Sequence, residues 1–430
     1  MTKLQYWLDN LTADKGKDRV VTFTPMLRKY LVFQHRWTGL FVTAFLAVVG
    51  LTGSILAFSP QLDRWINPQL HVRHRAGQKP LDYATLAEKA DDLAGPEAFV
   101  GYFTETADPD QVLVHISAHK NPKTGRPYDL GFNALYLDPY TGEELGRGIW
   151  HHTTNEFSRV HWESWVLAVH ETFFMVPYGG TVVGYVAVVW TIDCFVGFYL
   201  TLPLGLSGFL KRWKLAWWVK WRAGTFRLNF DLHRAGGLWL WPLLFIFAWS
   251  GVMFNCWPVY SKTMGKLFSY KTIEEQLKTL HPVHETVQPK LAWHQILPIC
   301  EKLTSEQAKL KGFSVVRPIG IGYSENEGFY TYSFLTQEDL GGRTLGSFIE
   351  VDGDTGDLQL VYTPRTLFLG NRIEGWLYSL HWADFHDQLW FRLVVFLLGL
   401  AMVGLSVTGI YVWWKKKETR VLSKCRAAAS

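Results

Sequence analysis

The sequence predicts a mainly α-helical membrane protein in which four core transmembrane helices form two pseudo-repeats and two α+β lobes project from one side. Three observations predict it: long charge-free apolar runs, lopsided charge, and an internal duplication. The 430 residues are 48% hydrophobic, 16% aromatic and only 19% charged, too little charge for an ordinary soluble globule. This composition excludes a disordered chain, a nucleic-acid-binding domain and a small disulfide scaffold.

Four runs lack Asp, Glu, Lys and Arg for longer than the roughly 20 residues a helix needs to cross hydrocarbon. They are Trp37 to Leu62, Thr172 to Ile192, Ala235 to Ser261 and Leu393 to Trp414. They divide the chain into an N-terminal segment (1–34), a first span (35–58), a lobe (59–170), a second span (171–203) and a basic loop (204–232). A third span (233–258), a second lobe (259–380), a fourth span (381–414) and a tail (415–430) follow. The side holding both termini carries 20 Lys and Arg against 5 acids, and the other carries 23 against 32. Basic clusters such as Lys211-Arg212 and Lys415-Lys416-Lys417 beside span ends predict a multi-pass protein with both termini cytoplasmic. Met1 to Lys29 is too polar for a cleavable signal, so the first span reads as a signal-anchor.

The outer lobes mix strand-like runs, Gln111 to Ile116 and Phe329 to Phe334, with helical stretches, Tyr83 to Leu93 and Thr272 to Leu280. Of the four cysteines, only Cys256 and Cys300 could meet outside the membrane, and their spacing suggests no metal knuckle. The basic loop sets Trp213, Trp217, Trp218 and Trp221 among Lys and Arg, as in a helix lying in the membrane interface, so lipid is an expected partner.

The duplication is direct. His35-Arg36-Trp37-Thr38-Gly39-Leu40 opens the first span and His233-Arg234-Ala235-Gly236-Gly237-Leu238 the third. In the same register, Thr52-Gly53 matches Ser250-Gly251. Farther on, Asp138-Pro139-Tyr140-Thr141-Gly142 matches Asp352-Gly353-Asp354-Thr355-Gly356, an Asp-containing turn between strands. His170 then precedes Gly197 by 27 residues, and His381 precedes Gly409 by 28.

Copies related by a two-fold along the membrane normal would place His35 against His233 at the inner level and His170 against His381 at the outer. Neutral imidazoles paired across a helical bundle suit the two axial positions of a haem iron. Gly39, Gly53, Gly237 and Gly251 would let a flat macrocycle lie against backbone, and Arg36 and Arg234 could meet propionates. For a lone His at a helix end, an interfacial cap is the simpler reading; duplication in register favours ligation. At the outer level His161 and His386 remain alternates. Asp193, an ionisable group inside a span, requires a partner such as Thr191 or a neighbouring helix.

These residues resemble the PepSY-associated transmembrane family: Asp231-Leu232-His233-Arg234 with Gly237, Val169-His170, Leu380-His381, Thr408-Gly409 and the two Thr-Gly turns, over about Tyr30 to Lys417. The resemblance implies a bacterial inner-membrane protein with two PepSY-like periplasmic lobes and two b-type haems. His35, His233, His170 and His381 would be the axial ligands. It further implies a transmembrane ferric-siderophore reductase, an oxidoreductase that draws electrons from a quinol or a cytoplasmic reductase and releases Fe(II) from a periplasmic ferric chelate. His386 and Asp193 depart from the family pattern. No Gly-x-Ser-x-Gly or His-Glu-x-x-His motif suggests another chemistry. Two rival readings are a siderophore or iron permease, which broken spans would mark, and a non-enzymatic PepSY interaction module.

Overall fold

The computed structural model describes residues 25–104, 110–150, 157–205, 207–272, 275, 288–341, 346–385 and 388–429. Most of the helix expected over Thr272 to Leu280 lies outside the described residues. Helix α1 (Pro25–Leu56) has 32 residues and begins ten residues before the predicted span. Tyr30-Leu31-Val32-Phe33 extends the apolar run, and Pro25, with its fixed φ, suits a first helical position. After α2 (Ser59–Ile66) and a short 3₁₀ turn comes α3 (Tyr83–Ala94), N-capped by Asp82, whose carboxylate accepts from Thr85 N at 2.8 Å. Strands β1 (Ala98–Thr104), β2 (Val112–Ala118), β3 (Ala134–Leu137) and β4 (Glu144–Gly148) form an antiparallel meander.

The predicted second span (171–203) holds α5 (Gly179–Thr201) and only the last residues of a shorter helix, α4 (Trp162–Thr172), which otherwise falls in the predicted lobe, so the helix breaks near the start of the span. Phe173 and Phe174 stop α4 by adopting positive φ, 52° and 57°. Among the described residues the basic loop holds a short α6 (Phe209–Trp213), a 3₁₀ turn (Lys214–Trp217) and, from Thr225, the start of the next helix, rather than one continuous interfacial helix, and Trp218 and Trp221 are exposed. The predicted third span is likewise interrupted. Helix α7 (Thr225–Trp239) ends at Leu240 and α8 (Trp241–Asn255) begins there, because Pro242 lacks the N–H that would continue the ladder. Helix α9 (Trp257–Leu267) follows.

Then α10 (Trp293–Lys311) leads into a second meander, β5 (Val315–Ser324), β6 (Phe329–Thr336), β7 (Ser347–Asp352) and β8 (Leu358–Tyr362). Finally α11 (Leu369–His381) stops before Ala383, at φ 53°, and α12 (Leu389–Ala429) forms the last span. Among the described residues three helices are long and apolar enough to cross a membrane, or four if the bent pair α7 and α8 counts as one span. The chain is a membrane protein with apolar helices and two small antiparallel sheets.

The chain divides into two compact units, one from Met1–Ala44, Val189–Pro242 and Gly404–Ser430, the other from Phe45–Val188 and Leu243–Val403. In the first, Arg28 donates to Leu202 O and Leu200 O, holding the start of α1 on the end of α5. Asp231, fully buried on α7, pairs with Arg227 and Arg234. In the second, α1 and α12 pack backbone on backbone. A Cβ on Gly399 would stand 2.2 Å from Gly50 O, and Ser54 Oγ donates to Phe396 O at 2.9 Å, the close approach that small residues permit between membrane helices.

The two meanders share one core. Val100, Val114 and Leu135 of the first cluster with Ile321, Phe334 and Ile349 of the second, and Trp293 Nε1 on α10 donates to Asp91 on α3 at 2.7 Å. Both predicted Asp turns form. Asp138 accepts from Tyr140 N and Thr141 N, Asp352 from Asp354 N and Thr355 N, and Gly142 and Gly356 take positive φ. Cys256 and Cys300 are free thiols, Cys300 buried.

Glu350 on β7 is 6% exposed, and its Oε2 has no hydrogen-bond partner among the described residues. Burial, with Glu327 nearby, pushes its carboxyl up to about 7. An acid whose folded-state value is raised holds its proton more tightly when folded, so stability is greatest below about 4.5 and falls as pH rises through about 7. Glu350→Gln removes that dependence. The melting midpoint of the variant should exceed that of the parent at pH 8, by an amount equivalent to as much as about 3 kcal/mol, and match it at pH 4.5.

Candidate functional site

Each imidazole is set by elements of its own pseudo-repeat and faces the equivalent imidazole of the other. His35 on α1 and His233 on α7 have ring centroids 6.3 Å apart, and His170 on α4 and His381 on α11 lie 6.1 Å apart. The sequence places the outer histidines just before the outer ends of the second and fourth spans. They stand on the short helices α4 and α11, which the left-handed residues separate from α5 and α12.

Hydrogen bonding fixes the tautomer at every position. The Thr52 hydroxyl donates to Val48 O at 2.8 Å, which leaves its oxygen to accept from His170 Nδ1 at 2.9 Å. Ser250 repeats this, donating to Ile246 O at 2.9 Å and accepting from His381 Nδ1 at 2.7 Å. His233 Nδ1 donates to Leu405 O at 3.0 Å, and a carbonyl can only accept. His35 Nδ1 donates to the Asp193 carboxylate, 3.0 and 2.9 Å from its two oxygens. All four rings therefore carry their proton on Nδ1, and the Nε2 lone pair is available to a ligand. Tying the far nitrogen in this way is what orients a metal-binding histidine.

Glycines seat three of the rings. A Cβ on Gly53 would meet His170 Cε1 at 3.2 Å, one on Gly197 His35 Cε1 at 3.5 Å, and one on Gly409 His233 Cε1 at 3.0 Å. Phe247 and Phe254 flank His381, each at 5.1 Å. The first pseudo-repeat thus carries a glycine seat on its first helix and another on its last, and the second carries one on its last.

Whether these residues suit a haem can be tested on the geometry. An Nε2 lies about 1.1 Å from its ring centroid, and a metal–imidazole bond is about 2.0 Å, so one metal between two rings needs centroids about 6.2 Å apart. Both pairs meet that requirement. Among the described residues no group of three or more His, Cys, Asp or Glu could hold a metal ion, so a metal at either pair must bring its other ligands, as a macrocycle does. A Cβ on Gly39 or Gly237, one turn beyond His35 and His233, would meet nothing within 4 Å. The spacing of each pair therefore suits one metal-bearing group, such as a haem, which His35 with His233 or His170 with His381 would hold.

Several expectations need correction. His161 joins neither pair: it precedes α4, and its Nε2 accepts from Ile149 N at 3.1 Å. His386 lies outside the described residues. Gly251 packs against Ala187 rather than opening a cradle. Arg234 is held by Asp231 and the carbonyls of Leu215, Ala216 and Trp218, so it braces the basic loop instead of presenting a propionate anchor. The Arg36 guanidinium makes no hydrogen bond to a described residue. Asp193 belongs to the His35–His233 pair. Its role was hidden, but position 193 precedes Gly197 by four residues as Leu405 precedes Gly409, so the two positions that hold Nδ1 are equivalent in the repeat.

Apolar helices long enough to span and two facing pairs of histidines define the class, a helical membrane protein. The family model described as PepSY-associated TM region matches residues 34–416, and the chain belongs to that family. Comparison with curated proteins gives no match.

Thr52→Val keeps the side-chain shape but removes the hydroxyl that accepts from His170 Nδ1–H, leaving the Val49 carbonyl as the nearby acceptor. The unfolding midpoint should fall by the equivalent of about 0.5–1.5 kcal/mol, and Thr52→Ser should restore it; equal loss in both variants would deny the bond its role.

Proposed function

We propose that the chain is a two-haem, b-type electron-transfer protein of the bacterial inner membrane, with both termini cytoplasmic, that reduces ferric siderophore in the periplasm and releases Fe(II). The observation that carries this reading is the pair of imidazole pairs, each spaced for one metal and each with its Nδ1 protons already committed. His35 and His233 would hold the inner haem, His170 and His381 the outer. When bound, haem supplies a reversible one-electron Fe(III)/Fe(II) couple.

The chain's own task is to hold four rings at fixed orientation, so that little rearrangement accompanies the gain or loss of an electron. Thr52, Ser250, Leu405 and Asp193 fix the rings, and Gly53, Gly197 and Gly409 leave room for them. Two centres divide the roughly 30 Å of hydrocarbon into shorter jumps. Hard, anionic oxygen ligands hold Fe(III) tightly and Fe(II) poorly, so one electron delivered to the chelated iron releases it without breaking a bond of the chelator. No protein nucleophile is needed. A quinol or a cytoplasmic reductase would supply the electrons at the basic side.

The interruption at Leu240 supports the rival permease reading, since broken spans often line a substrate path. A path gives no reason for two imidazole pairs with matched spacing and fixed tautomers, so the reductase reading accounts for more of the site. Protein purified from haem-replete cells should be red, with low-spin b-type bands that a ferric siderophore reoxidises after dithionite reduction. A colourless preparation favours the permease or a binding module. His233→Ala should lose one haem and largely spare the other, halving the haem content per chain.

A further inference from the structure

We propose that Asp193, acting through His35, lowers the reduction potential of the inner haem site and sets it below that of the outer site. The inference rests on the haem reading above and concerns what makes the two sites unequal.

The four Nδ1 partners are not of one kind. His170 and His381 donate to the hydroxyl oxygens of Thr52 and Ser250, and His233 donates to the backbone carbonyl of Leu405. Only His35 donates to an anion, with both Asp193 oxygens within 3.0 Å. The Asp193 side chain is 8% exposed, so little water screens it. Gln34 Nε2, 3.5 Å from Oδ1, is the other described donor to it. A carboxylate that accepts the Nδ1 proton makes the imidazole more basic and Nε2 a stronger donor. A stronger axial donor favours the higher charge on iron, and Fe(III) gains over Fe(II).

Other charges have to be weighed. Lys416 lies within electrostatic reach of His233 and opposes the effect, while Glu171 lies within reach of His170 and depresses the outer site. Each acts on its ring as a charge through space. Asp193 touches the ligand itself, and its influence passes through the donor atom, so it dominates. Asp193 is a positioning residue in this scheme, since it meets no iron and no substrate. The resulting order gives the chain a direction: an electron entering at the basic side moves downhill toward the lobes.

The test is a spectroelectrochemical titration of the purified, haem-loaded protein. Asp193→Asn retains an acceptor for Nδ1–H but no charge. It should keep both haems and raise the lower midpoint alone, shifting that reduction equilibrium at least tenfold, about 59 mV for one electron. Asp193→Glu keeps the charge and should stay near the parent. In ferric protein, electron paramagnetic resonance should show one low-spin signal altered in Asp193→Asn and the other unchanged. If Asp193→Asn sheds its inner haem, His233→Ala decides, because removing the inner haem must remove the lower-potential wave. Two haems with unmoved midpoints in Asp193→Asn, or a surviving lower wave in His233→Ala, overturns the proposal while leaving the haem reading intact. Absence of haem from the parent protein overturns both.

Discussion

An imidazole has two nitrogens, and only one can face a ligand. The site depends on how the fold disposes of the other. At four positions Nδ1 is held by an oxygen of the same pseudo-repeat: a hydroxyl at Thr52 and Ser250, a carbonyl at Leu405, a carboxylate at Asp193. In hydrocarbon an unbonded N–H would cost several kcal/mol, so each ring has one low-energy orientation. The rings of the two pairs then stand 6.3 and 6.1 Å apart, centroid to centroid, across the pseudo-symmetry. The pairing follows from bonds made inside each half.

That arrangement explains where the helices break. A residue on a long straight span can present a side chain only at its own depth and azimuth. His170 and His381 stand instead on short helices that stop at Phe173 and just before Ala383, where positive φ turns the chain before α5 and α12 begin. The same break occurs in both pseudo-repeats, so it is a feature of the duplicated unit. It also lets residues far apart in sequence meet: Thr52 and His170 are 118 positions apart, Ser250 and His381 131.

Much of this was legible in the sequence because duplication marks what the fold needs twice. The four histidines, the hydroxyl-Gly pairs, Gly197 with Gly409 and the Asp turns all repeat, and all prove to be contacts or turns. What does not repeat in kind stayed hidden. Asp193 aligns with Leu405, and a carboxylate aligned with a leucine gives no sign that one uses its side chain and the other its carbonyl for the same bond. The breaks were illegible for a different reason. Hydropathy counts apolar residues and is blind to backbone sign, and neither the left-handed Phe173 and Phe174 nor Ala383 is a residue that advertises a turn. Leu240 is a milder case: Pro242 was visible, yet prolines are common enough in spanning helices that one does not announce a break.

The lobes pose a separate physical question, since each meander is small and a four-stranded sheet with one helix buries little by itself. The structure answers by fusing their cores. Trp293 of the second helix donates to Asp91 of the first, Ile321 and Ile349 pack into the cluster that holds Val100 and Val114, and a Cβ on Gly322 would stand 2.0 Å from Gly101 O. Because that contact is backbone to backbone, it leaves almost no freedom for either sheet to slide on the other. The lobes and the histidine pairs obey one logic. In both, a surface of one half of the duplicated chain meets the equivalent surface of the other: buried apolar side chains and the Trp293–Asp91 bond join the lobes, and facing imidazoles join the helices.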